Sequence, residues 1–197
     1  VVYFSFYDYN GLNFRTTNHD FPYDSLFPQN PKYIIYYFKS LGGIFFQSSP
    51  WAGLCFALIL FASSRIAFLL SIIGFTAGIT FHVLLEGKMG NISAGAVGFN
   101  YILTAIAVGG IFFVPSPSTF LLAALASMVS ALVSSFASVL FTPFSIPVLA
   151  LPFTSVTLLF VYSIKLLRNR NFVAVDFLPG APESNLDYYK TRLQRFG

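Results

Sequence analysis

From Leu41 onward the chain runs in long apolar stretches separated by short polar or proline-rich punctuation, the pattern of buried or lipid-facing helices. The breaks fall at Ser63-Ser64-Arg65, from Glu86-Gly87-Lys88 through Asn91, at Pro115-Ser116-Pro117 and from Pro143 to Pro152. They divide the region into predicted spans at 51–63, 65–84, 98–114, 118–140 and 147–164. Some of these are shorter than about 20 residues, as broken or half-spanning helices would be. The last break is unusual, since residues 142–153 hold Pro143, Pro147 and Pro152. At membrane depth the hydrogen bonds that proline removes are not replaced by water, so this backbone must be buried in protein or line a cavity.

The flanks have a different character. Residues 1–37 carry Asp8, Asp20, Asp24, His19, four Asn and the turn formers Asn10-Gly11 and Phe27-Pro28 among many Tyr and Phe. They are expected to form an aqueous or interfacial segment, leaving 38–164 as the membrane unit and 165–197 as a tail. The tail opens on Lys165, Arg168 and Arg170, a basic cluster directly behind a span, which predicts a cytoplasmic C-terminal side. Further on, Leu186, Tyr189, Leu193 and Phe196 recur at helical spacing after Pro182, a residue suited to a first helical turn. The stripe predicts a short amphipathic helix lying on the membrane or on a neighbouring domain.

Composition sharpens this picture. Of 197 residues 56% are apolar, 19% aromatic and only 9% charged, against roughly 25% charged in soluble domains. Residues 41–164 contain only Arg65, Glu86 and Lys88 of all the charged side chains. This segregation identifies an all-α integral membrane protein in contact with the lipid bilayer. The net charge of +4 does not point to nucleic acid, because the basic residues sit at the edges of apolar segments, where they anchor spans. Cys55 is the single cysteine, so an intrachain disulfide and a structural zinc cluster are excluded. The chain begins with Val1 and shows no basic and apolar leader, so no signal peptide is expected and the sequence is expected to be part of a longer one.

Candidate chemistry is sparse. His82 and Glu86 stand four apart on one helix face, and the Gly, Lys and Asn that follow predict a hydrogen bond or ion pair at headgroup level. No metal-ligand, phosphate-loop or nucleophile-elbow motif occurs, so neither catalysis nor a cofactor or metal is expected. Gly74 and Gly78, Gly95 and Gly98, and Gly109-Gly110 are expected to let helices approach closely. A proline-broken apolar bundle of this kind conducts a small solute, scaffolds a complex or anchors another domain.

Three segments, in order, resemble the urea transporter family: Phe45-Phe46-Gln47-Ser48-Ser49-Pro50-Trp51-Ala52-Gly53, Gly98-Phe99-Asn100-Tyr101-Ile102-Leu103, and Ile146-Pro147-Val148-Leu149-Ala150-Leu151-Pro152-Phe153. The second is similar to that family's G(F/Y)NxxL signature and the third to its LPxLTxPF signature. The resemblance covers residues 38–164. It implies about five transmembrane helices plus a re-entrant half-helix, one repeat of an inverted two-repeat fold and most like the second. The other repeat would come from elsewhere in the chain or from a partner copy, and members generally assemble as trimers.

The implied function is passive, channel-like movement of urea or a similar small neutral amide, across a plasma membrane that is expected to be a bacterial inner membrane. Planar urea suits a flat slot, with aromatic faces on the plane and acceptors along the edge. Carried over, Phe46 and Phe99 would be clamp aromatics and Leu103 a slot wall. Asn100 would lie near the pore, and Pro147 to Pro152, with Leu149 and Ala150 between them, would supply unpaired carbonyls. Two positions depart from the pattern: Gly43 stands where the family has Gln or Glu, and Ala150 where it has the central Thr of LPxLTxPF. Both remove side-chain hydrogen bonding from the slot, which leaves open a non-conducting module that anchors or senses for an associated domain. A third reading, a subunit of an ion-pumping flavoprotein complex, would need an SGAT flavin-attachment motif, and Ile92-Ser93-Ala94-Gly95 does not match it.

Overall fold

The computed structural model describes residues 32–47, 49–86, 94–167, 172–175 and 180–196. The polar segment 1–31, residues 87–93 with Lys88 and Asn91, and the basic pair Arg168 and Arg170 lie outside the described residues. The described chain is helical, with one isolated antiparallel bridge between Phe113 and Ala174.

Helix α1 (Lys32–Gly43) and helix α2 (Pro50–Ser63) form a tight hairpin. At a rise of about 1.5 Å per residue each is near 20 Å long, short of a bilayer core of about 30 Å. Pro50 starts α2, where its missing N–H costs nothing. The hairpin closes on glycine, because a Cβ at Gly53 would run into the Phe38 backbone and one at Gly42 into the Gln47 carbonyl. Helix α1 begins at Lys32, so it crosses the boundary drawn at residue 37 from composition.

Ser64 is extended between α2 and helix α3 (Arg65–Glu86). Its Oγ accepts from the Ala67 N–H at 3.0 Å, the bond of a serine N-cap. Helix α3 packs along helix α4 (Ala94–Ile106) through Gly74 and Gly78, where a side chain would strike Ala105 and the Tyr101 ring. The sequence glycines thus mark a close helix crossing. Helix α4 continues into a π-helical turn, Ala107–Ile111, in which Gly109 and Gly110 meet Leu70 and Pro182.

Helix α5 (Pro117–Phe141) runs back beside α3 and α4, and Ser127 Oγ donates to the Tyr101 carbonyl at 3.0 Å. A 3-10 turn (Thr142–Phe144) and an irregular stretch lead into helix α6 (Leu151–Leu167). Helix α7 (Pro182–Phe196) follows in the tail. The predicted spans at 51–63, 65–84, 98–114, 118–140 and 147–164 thus correspond to α2, α3, α4 with its π turn, α5 and the break with α6. Among the described residues two helices, Arg65–Leu85 and Pro117–Phe141, are long and apolar enough to cross a membrane. The core runs in two main clusters, Leu41, Ile79 and Ile102 on the hairpin side and Val108, Phe113 and Val156 on the α5–α6 side. Large apolar side chains such as Leu84, Leu121, Val139 and Leu158 face outward. A soluble domain would bury such residues, whereas lipid or a partner helix covers them in a membrane.

Candidate functional site

The proline-broken stretch is held open by one side chain from another helix. Asn100 on α4 is fully buried. Its Nδ2 donates to the Leu149 carbonyl at 2.9 Å, and its Oδ1 accepts from the Phe153 N–H at 3.2 Å. One amide therefore satisfies both a carbonyl in the break and a first-turn N–H of α6, an N-cap supplied from a distance. Proline at 147 and 152 prevents the helix from continuing backward, so these groups have no regular partner. Thr104 Oγ1 in turn donates to the Asn100 carbonyl at 2.7 Å and keeps this turn of α4 saturated.

Leu149 has φ of 45°, in the left-handed region that costs a non-glycine residue of order 1–3 kcal/mol. Phe46, in the α1–α2 turn, has φ of 57°, and Ser145 has φ of 55°. Two of the six residues singled out from the sequence thus sit in strained backbone, which persists where surrounding structure over-determines it.

The six predicted residues fall into two groups. Phe99, Asn100 and Leu103 share α4, and Asn100 joins Leu149 to them, with Ala150 next in the chain. Phe99 is buried at 5% exposure, and Leu103 is half-buried. At about 100° per residue, Phe99 lies angularly between Gly98, which meets Ser40 of the hairpin, and Asn100, which holds the break. Phe46 stands apart from these, 62% exposed at the tip of the hairpin.

The expected run of unpaired carbonyls from Pro147 to Pro152 is largely paired. Val148 O accepts from Leu151 N at 3.2 Å, Leu149 O from Asn100, and Ala150 O from the Thr154 N–H at 3.0 Å. The restart of α6 uses these groups at once, because a buried carbonyl left unpaired is costly. Ala150 O accepts in addition from Thr154 Oγ1 at 3.1 Å, which leaves a second lone pair on the Val148 and Leu149 carbonyls only.

His82 takes part in hydrogen bonding between helices. It is 4% exposed, and its Nδ1 lies 3.1 Å from the Tyr101 hydroxyl and 3.2 Å from the Ser135 hydroxyl, inside the α3–α4–α5 seam. The Glu86 side chain lies outside the described residues. Sequence spacing alone did not reveal this cluster, since its partners come from two other helices; the notch at Gly78 that admits the Tyr101 ring was the available signal. Among the described residues there is no group of three or more His, Cys, Asp or Glu that could hold a metal.

The features assembled above, an apolar helical bundle with lipid-suited surfaces, short paired helices and an irregular break secured by a buried amide, are those of a helical membrane protein. The family model described as urea transporter matches residues 2–165, and the chain belongs to that family. It is 31% identical over 156 residues to urea transporter 1 of Ovis aries and, equally, to urea transporter 1 of Capra hircus. Each match covers 79% of this chain and 40% of the relative, so the chain spans less than half the length of the curated relatives it matches. The family's members are integral membrane transporters.

Proposed function

We propose that this chain forms one repeat of a slot-type pore for passive passage of urea or a similar small neutral amide, without covalent chemistry. The observation that carries the reading is the Asn100 bridge, which keeps the Leu149–Ala150 break irregular within a family of urea transporters. A neutral, planar solute needs aromatic faces and edge acceptors more than charge. Phe99 serves as a clamp aromatic with Leu103 as the wall beside it. The break supplies acceptors through the second lone pairs of the Val148 and Leu149 carbonyls, and Phe46 closes the slot from the hairpin tip.

The hairpin α1–α2 acts as the re-entrant element, with α3 to α6 as the spans that complete the repeat. A second repeat, from the rest of a longer chain or from a partner copy in a trimer, closes the slot opposite α4. Arg65 and Lys165 share the end of the bundle at which α3 begins and α6 ends, which supports a cytoplasmic placement for that end and for the tail in a bacterial inner membrane. The alternative, a non-conducting module that anchors or senses, draws on Gly43 and Ala150, where the side chains of the family pattern are missing. Stopped-flow urea flux into proteoliposomes of the full-length parent protein separates the two. Flux above empty liposomes that falls in Phe99→Ala is expected for a pore, and background flux from folded protein is expected for the module.

A further inference from the structure

The tail after α6 is built into the bundle at three points, all at the end where α3 begins. Residues 172–175 pair with the link behind the π turn: Val114 N–H donates to the Val173 carbonyl and Val175 N–H to the Phe112 carbonyl, each at 2.9 Å. Asn185 is fully buried, and its Nδ2 donates to the Gly110 carbonyl at 2.9 Å and the Ile111 carbonyl at 3.3 Å. These are C-terminal carbonyls of α4 and its π turn, for which the helix itself offers no N–H. Pro182 packs on Gly110 so closely that a Cβ there would sit 2.8 Å from the proline ring.

The third point is Glu183. Its carboxylate accepts from Ser64 Oγ at 2.6 Å and from the Ile66 N–H at 2.8 Å. It thus adds a negative charge to the positive end of α3, beside the serine cap. These contacts are made by Pro182, Glu183 and Asn185, which all precede the amphipathic stripe read in the sequence. The Leu193 and Phe196 side chains of the stripe lie outside the described residues.

We propose that residues 172–175 and the first turns of α7 are a strap whose Asn185 and Glu183 are positioning residues for α4, the helix that carries Phe99, Asn100 and Leu103. Asn185 holds the far end of the same rod, about 10–17 Å along the axis from those residues at 1.5 Å per residue. Glu183 ties that end to the start of α3. Releasing the strap frees the Gly110 and Ile111 carbonyls and lets the π turn relax, which shifts α4 lengthwise against the break. The strap lies beyond the family match, which ends at residue 165.

Amide hydrogen exchange on the full chain in nanodiscs tests this without reference to any solute. Asn185→Ala, and independently Gly110→Ala, which pushes Pro182 away without altering the tail, are expected to raise exchange about tenfold or more in both 107–114 and 172–185. Glu183→Gln is the mild variant, expected to raise exchange at Ile66 and in the tail while the rest of α3 stays protected. Acidification is expected to reproduce that effect in the wild type and not in Glu183→Gln, after correction for intrinsic exchange. The charged groups near Glu183 are Arg65, next to Ser64 and Ile66 that donate to it, and Asp187 and Lys190 on its own helix. Loosening of the tail with 107–114 still protected would overturn the proposal and make the tail a passive appendage. In the reconstituted protein the same variants are expected to alter urea flux. Should the wild type carry no urea, the exchange result still decides the strap, so the two readings fail separately.

Discussion

Two helices in this molecule start where the chain has just been broken, and each is capped by a side chain far away in sequence. The N-terminus of α3 receives the carboxylate of Glu183, and that of α6 receives the amide of Asn100. The first site lies at the rim, where Glu183 is half-buried and an ionised cap is tolerated; the second lies inside the bundle, where Asn100 is fully buried. A carboxylate at the inner site would carry a charge out of water and could not donate to the Leu149 carbonyl, whereas an amide both accepts and donates. The comparison teaches that depth chooses the chemistry: charge at the edge, a neutral two-way hydrogen-bonding group in the interior.

Removing the inner cap is expected to have the largest effect. Asn100→Ala leaves the Leu149 carbonyl and the Phe153 N–H unpaired, and at about 1–3 kcal/mol per unpaired group the loss should be about 2–6 kcal/mol, toward the lower end because both bonds are only part-buried. A fall in thermal stability of the purified protein, with urea flux lost, checks it. Asn100→Asp should be nearly as damaging, which tests the depth argument itself. Next comes Gly78→Val, which drives a side chain into the Tyr101 ring and disturbs its bond to His82. Overpacking of this kind costs about 1–3 kcal/mol, read as a lower unfolding temperature.

The rim should be softer. Glu183→Ala is expected to cost about 1 kcal/mol, the usual range for a cap aided by the helix dipole. Burial raises the Glu183 carboxyl pKa, but hydrogen bonds from the Ile66 N–H and the Ser64 hydroxyl outweigh it and hold the group below its ordinary value. A depressed carboxylate stabilises the docked tail fully above its ordinary range and loses that contribution as pH falls through the lowered value. Tail protection from proteolysis should therefore be flat at neutral pH and decline only in acid, and Glu183→Gln should flatten the profile. The smallest effect is expected for Leu149→Gly, which relieves the left-handed strain at 45° and changes stability by about 1 kcal/mol or less while loosening the break.

The division into spans was legible because lipid-suited runs are bounded by proline, glycine and charge, signals that survive without tertiary knowledge. Gly74 and Gly78 were legible for the same reason, since small residues at that spacing have few other uses in apolar helices. The beginning of α1 at Lys32 was not, because Tyr33, Tyr36 and Tyr37 read as interfacial, yet Tyr37 bonds Ser71 at 2.7 Å and packs on Phe75. The π turn and its Asn185 partner depend on pairing across 75 residues, which no local period records. Of the site residues, Asn100 bonds the Leu149 carbonyl across 49 residues, which no local period records, and the pairing of the break's carbonyls follows from where α6 restarts.

The most direct measurement is stopped-flow urea flux into proteoliposomes of the full-length parent protein, wild type against Asn100→Ala, with helical content of both verified by circular dichroism. The account predicts wild-type flux above empty liposomes and background flux in the folded variant. Wild-type flux at background, or undiminished flux in Asn100→Ala, would contradict it.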